Sequence, residues 1–181
     1  MRLRAAVVIA AAVLSAGTVG AQVAWVGGGF GATWEYQPEV DPGRTWLRGE
    51  ENAYSLYVAV PLDEATSVRF AAWDVPHIAP YGGTAWPGQF RAYTLGVDYF
   101  VPGVFGQAVF SAGAGQYRFD PVAQDTPERF DDDEFGWYVG IGEWFQLSHR
   151  TRLTVEVSMH RPDTDSKPVL ATVLAGLAVA F

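Results

Sequence analysis

The chain has 181 residues with 20 acidic and 12 basic side chains; only 18% of it is charged and 14% is aromatic. That length favours a single domain. No cysteine is present, which excludes disulfides, thiolate metal sites and cysteine nucleophiles.

Arg2 and Arg4 precede an unbroken apolar run from Ala5 to Leu14, and Val19-Gly20-Ala21 ends in small residues. This is the pattern of a cleaved secretory signal over residues 1–21. The run falls short of the roughly 20 apolar residues that a spanning helix needs. Removing Arg2 and Arg4 from the 12 basic side chains leaves 10 against 20 acidic, a net charge of −10. Nucleic acid is therefore not an expected partner. A soluble domain usually carries about a quarter charged residues. This chain is poorer in charge, rich in glycine, and near zero in mean hydropathy. A barrel with one lipid-facing and one polar side averages to such a value.

Eight later segments read as strands: 24–36, 52–62, 67–75, 89–100, 105–119, 135–147, 152–160 and 169–181. The gaps 37–51, 76–88, 120–134 and 161–168 are long and rich in Pro, Gly, Asp and Glu. The gaps 63–66, 101–104 and 148–151 are short. Long and short gaps alternate, as in outer-membrane barrels with long outer loops and tight periplasmic turns. No later run has the length of a transmembrane helix. A membrane-spanning chain of this kind has to close into a β-barrel to satisfy its backbone polar groups.

The period of two assigns the faces. In the second segment Tyr54, Leu56, Val58, Val60 and Leu62 oppose Ser55, Tyr57 and Ala59. In the fourth, Tyr93, Leu95, Val97 and Tyr99 oppose Ala92, Thr94, Gly96 and Asp98. In the seventh, Leu153, Val155, Val157 and Met159 oppose Thr154, Glu156, Ser158 and His160. The apolar sets fit a lipid band with aromatic ends. About ten residues at ~3.3 Å, tilted by roughly 45°, rise about 24 Å, close to the height of such a band. The minor faces carry Gly27, Gly29, Gly31, Ser111, Gly113, Gly115, Gly140 and Gly142. Small residues suit a narrow lumen, and they leave room for large neighbours such as Trp73, Tyr57 or Trp144.

Alternation places Glu35, Arg69, Asp98 and Glu156 inside the lumen. Unpaired charge there is costly, so these residues are expected to pair and fill the barrel. Three carboxylates against one arginine leave an imbalance that Arg152 can offset in part. Glu143 falls on the outward face, which requires a bulge or an interfacial position. The third long gap is acidic: Asp120, Asp125, Glu128, Asp131, Asp132, Asp133 and Glu134, with Arg129 opposing. It reads as a solvated surface loop. It lacks EF-hand spacing, though clustered carboxylates can bridge divalent cations. Of the seven tryptophans, most sit near strand ends and are expected to anchor at the interface. Trp46 and Trp86 fall in loops.

In the last segment Val169, Ala171, Val173, Ala175, Leu177, Val179 and Phe181 share one face. The other face (Leu170, Thr172, Leu174, Gly176, Ala178, Ala180) is also apolar, so its parity is less clear. With the signal segment, Gly113-Ala114-Gly115, Gly140-Ile141-Gly142 and the terminal phenylalanine, the chain resembles the small eight-stranded outer-membrane barrels of the OmpA, OmpX and opacity-protein type. The resemblance is one of pattern over residues 22–181. It implies an all-β, antiparallel up-and-down transmembrane barrel. It also implies a monomer in outer-membrane lipid, and Phe181 as the signal read by the barrel-assembly machinery.

No motif for nucleotide, zinc-protease or serine-hydrolase chemistry is present, and no cofactor is expected. Of the histidines, His77 falls in a loop, His149 in a turn, and His160 at a solvated rim. Some barrels resembling this one modify lipid A through His and Ser at the rim. Ser158 and His160 share a face, but the deacylases place Ser two residues after His, where this chain has Pro162. The leading expectation is a structural or surface-interaction barrel with a filled lumen and an unspecified surface ligand. A narrow pore or carrier for small hydrophobic solutes is the alternative. A lipid A-modifying enzyme ranks third.

Overall fold

The computed structural model describes residues 24–36, 47–48, 52–81, 84–122, 133–164 and 167–181. The expected signal segment lies outside them. The strands among the described residues are β1 (Trp25–Tyr36), β2 (Leu47–Arg48), β3 (Ala53–Pro61), β4 (Thr66–Tyr81), β5 (Thr84–Pro102), β6 (Gln107–Pro121), β7 (Asp133–Ser148), β8 (Thr151–Pro162) and β9 (Val169–Ala180). Each long strand pairs antiparallel with its sequence neighbour, and β1 pairs with β9 from Trp25↔Ala180 to Tyr36↔Val169. Eight strands thus close into a barrel. The two-residue β2 adds to β1 beyond the end of β3. Closure pairs each of the eight long strands on both sides around the body of the barrel, which makes covalent cross-links unnecessary.

The tight turns lie at 62–65, 103–106 and 149–150, all at one end. Asp63 Oδ1 accepts from Ala65 N–H at 2.8 Å, and Gly103 N–H donates to Gly106 O at 3.0 Å. Phe181 N–H donates to Ala24 O at 3.1 Å, so both ends of the described chain meet on that same side. Leu95, Val97, Val155 and Val157 are exposed on the outer wall, whereas Thr94, Asp98, Glu156 and Ser158 are buried. Grease therefore faces out and polar groups face in, the inverse of a water-soluble barrel. The last strand follows the same parity: Val173, Leu177, Val179 and Phe181 point out, and Leu170, Thr172, Leu174, Ala178 and Ala180 point in.

The expected loop 76–88 is mostly strand, because β4 runs to Tyr81 and β5 starts at Thr84. The prolines misdirect the reading. The β3–β4 ladder stops at Tyr54↔Asp74, so the next stretch of β4 has a free edge. Alternation points the N–H groups of 76, 78 and 80 to that edge. Pro76 and Pro80 have none to offer, and Ile78 N–H donates to Glu35 Oε2 at 3.1 Å. Proline is tolerated where no ladder bond is required of it. Strand β7 likewise begins at Asp133, inside the expected loop 120–134.

One glycine shows how the lumen is packed. A Cβ on Gly27 would run into the Tyr57 ring. That ring is held 6.2 Å from Trp144, with the Arg69 guanidinium 4.6 Å from its centroid. Gly27→Ala is expected to cost about 1–3 kcal/mol through overpacking. In urea unfolding of the refolded protein, that cost should vanish in a Tyr57→Ala background.

Candidate functional site: the filled lumen

The lumen is packed in layers. At the turn end, Trp25, Phe100 and Trp144 meet edge to face, with centroids 6.0 Å apart for Trp25–Trp144 and 5.0 Å for Phe100–Trp144. Arg152 lays its guanidinium 4.1 Å from the Trp25 ring centre, and its Nε donates to Gln146 Oε1 at 2.9 Å. Arg152 thus caps this aromatic layer rather than offsetting the central carboxylates.

The middle layer is ionic. Arg69 Nε donates to Asp98 Oδ2 at 2.8 Å, and its Nη1 donates to Glu156 Oε2 at 2.7 Å. Ser111 Oγ donates to Asp98 Oδ1 at 2.8 Å. One guanidinium therefore ties β4 to β5 and, across the barrel, to β8. A fork of fixed N–H donors suits two carboxylates in one plane.

Above it lies a polar belt. Trp73 Nε1 donates to Thr94 Oγ1 at 3.0 Å. His160 bonds through Nδ1 to the Tyr117 hydroxyl at 3.0 Å and through Nε2 to Ser158 Oγ at 3.1 Å. Ser158 Oγ also meets Thr172 Oγ1 at 2.6 Å. The His160 ring stacks 5.6 Å from Tyr138 and stands edge-on to Trp73 at 4.6 Å. The expected solvated rim histidine is instead fully buried. The strands continue past it, so its position is not a rim.

At the loop end, His77 is also a lumen residue, not a loop residue. It stacks 4.5 Å from Phe90 and lies 5.3 Å from Phe119, with Nδ1 3.0 Å from Glu35 Oε1. Glu35 therefore does not join Arg69, Asp98 and Glu156. It bridges β1 to β4 where β3 no longer separates them. Glu35→Ala is expected to cost about 1–3 kcal/mol by leaving buried donors unmatched. Limited proteolysis should then cut the β4–β5 hairpin faster than in the parent.

Trp73 and Trp144 are buried in the lumen, as the small inward residues allow, and Trp25, near a strand end, is buried there too rather than at the membrane interface. Their ring size fills volume that the facing glycines vacate. Trp137 is exposed on the outer wall, as expected. Trp86 is in β5 and packs against the core rather than in a loop, and Trp46 lies outside the described residues. Glu143 takes the interfacial position: its Oε1 accepts from Phe105 N–H, at the β5–β6 turn, at 2.7 Å. Phe181 is exposed at the turn end. Of the acidic group, Asp131 and Asp132 lie outside the described residues, and Asp133 and Glu134 open β7. Among the described residues no cluster of three or more His, Asp or Glu side chains is arranged to hold a metal ion.

Sequence reasoning missed Tyr117, Tyr138 and His77 as lumen residues, while Thr172 stood on the second face of the last strand, whose parity the residues left open. Strand parity marks the first two once the strand limits are known. His77 carries no such signal, because its strand was read as a loop.

Closed eight-stranded pairing, an apolar outer wall and a filled polar interior define a small β-barrel of the outer-membrane type. No protein-family model and no curated protein matches the chain. Among solved structures it is similar to Neisserial surface protein A, with 11% identity over 87% of this chain and 97% of that one, at a TM-score of 0.63. It is also similar to outer membrane protein OprG of Pseudomonas aeruginosa, with 15% identity over 89% and 96% and a TM-score of 0.60. A third likeness is to the N-terminal barrel domain of OprF from the same organism, with 10% identity over 88% and 98% and a TM-score of 0.58. At these identities the likeness is one of fold.

Proposed function

We propose that this protein is a monomeric outer-membrane barrel with a sealed lumen, serving a structural or surface-interaction role through its outer connections. The observation that carries this reading is the continuous filling of the interior, from Trp25 and Trp144 through the Arg69 bridge to Phe90 and Phe119. Small barrels filled by side chains have no room for a water column. The fold likeness to outer-membrane proteins supports the setting. Phe181, exposed at the periplasmic end, is the proposed assembly signal. The acidic residues Asp131, Asp132, Asp133 and Glu134 keep the β6–β7 connection in water. Ser158 and His160 satisfy each other in a dry layer with no opening for a lipid ester, which supports a non-enzymatic role.

Planar-bilayer recording of the refolded protein tests the reading. The expected record is silent, and steady single-channel steps would overturn the sealed lumen. Mass spectrometry of lipid A from expressing cells should show an unchanged acyl pattern.

A further inference from the structure

The three tight turns present different chemistry at the turn end. The β3–β4 turn carries Asp63 and Glu64, and the β7–β8 turn carries His149 and Arg150, all exposed. The β5–β6 turn, Gly103-Val104-Phe105-Gly106, has no charge. Its tip residues Val104 and Phe105 are 84% and 78% exposed. Turn geometry asks for the two glycines but not for grease between them, and apolar surface held in water is unfavourable.

Glu143 sets the direction of the tip. It lies on the outer face of β7, in alternation with exposed Val139 and Ile141 and opposite in parity to buried Trp144. Its Oε1 accepts from Phe105 N–H at 2.7 Å, and a Cβ on Gly103 would lie 2.8 Å from the same oxygen. The turn therefore leans over the lipid-facing side of the wall, not across the mouth of the lumen. The contact also gives an outward carboxylate the donor that a charge at the edge of hydrocarbon needs. Height agrees with this placement. The outer face of β5 runs from exposed Arg91 through Tyr93, Leu95, Val97 and Tyr99 to Val101. These are about ten residues, which rise about 24 Å at ~3.3 Å each with roughly 45° of tilt. With Arg91 at the upper margin of the apolar band, the lower margin falls at the β5–β6 turn.

We infer that the Val104-Phe105 tip anchors the barrel in the inner leaflet, with both side chains among phospholipid acyl chains and Glu143 positioning them. The partner is the apolar part of phospholipid, because the tip continues the apolar wall and carries no charge. The β3–β4 and β7–β8 turns stay in water, so the barrel sits deeper on its β5–β6 side. This anchor depends on the outer-membrane setting and not on the sealed lumen.

The chain has no cysteine, so one introduced cysteine can carry a nitrobenzoxadiazole label. Val104→Cys, Glu64→Cys and Leu95→Cys, refolded into phosphatidylcholine nanodiscs, test the anchor with nitroxide-bearing acyl chains or with iodide in the buffer. The label at 104 should emit to the blue of the label at 64, be dimmed by nitroxide as the label at 95 is, and resist iodide. Glu143→Ala in the Val104→Cys background should shift the emission to the red and expose the label to iodide. Glu143→Gln, which keeps an acceptor oxygen, should not. Each variant should keep the heat-dependent gel shift of the folded barrel, and if Glu143→Ala does not fold, the three labels decide the anchor by themselves. A label at 104 that iodide dims, or that neither quencher reaches, would overturn the anchor. Lipid quenching unchanged by Glu143→Ala would overturn the role of Glu143. A label at 95 that nitroxide fails to dim would instead overturn the outer-membrane setting.

Discussion

Arg69→Met is expected to lower the stability of the folded barrel by about 3–5 kcal/mol, the usual cost of breaking a buried ion pair from one side. The side chain is about 1% exposed, and its two partners are shielded as well: Asp98 is fully buried and Glu156 nearly so. With the guanidinium gone, two carboxylates face each other in a closed interior without a cation. The loss is thus mainly the penalty of stranded charge, not the worth of the bridge. Neutralising the carboxylates as well, in Arg69→Met/Asp98→Asn/Glu156→Gln, should recover most of it. Urea unfolding of refolded protein in liposomes reads both values. A single variant no weaker than the triple variant would show that the carboxylates are hydrated or paired elsewhere.

The second large effect is expected at the turn end of the lumen. Trp144→Ala should cost about 3–5 kcal/mol. The indole is 2% exposed and packs against Trp25, Phe100 and Tyr57. It also lies 5.3 Å from the Arg152 guanidinium. Its removal leaves a void that rigid strands cannot close, because the ladder sets their spacing. Trp144→Phe should restore part of the loss by refilling the ring plane. The same unfolding experiment measures both, and an alanine variant as stable as the parent would mean the turn end of the lumen is loosely packed.

Much of this architecture was legible in the residues. Leu95 and Val97 on one side of a strand, with Thr94 and Asp98 on the other, state which face meets lipid. The alternation of long and short gaps states how the strands follow one another. Arg69, Asp98 and Glu156 were assigned to the lumen by parity alone, and the structure brings those three within hydrogen-bonding distance. Glu35 was assigned to the same interior but meets His77 instead. Its height along the barrel depends on strand stagger, which alternation does not encode. Pro76 and Pro80 read as loop because a proline's effect depends on whether its missing N–H would have been used. That depends on where β3 ends, a property of its neighbour.

The amino-acid order by itself determined the eight-strand antiparallel course and the inward and outward faces of most strands, since these follow from a local period of two and from turn chemistry. Only the closed structure decided which inward side chains share a layer. It put His160 between Tyr117 and Ser158, and Trp144 against Trp25. Those meetings depend on the register between strands distant in sequence and on the curvature that brings β1 to β9. Both are set by the whole ladder at once.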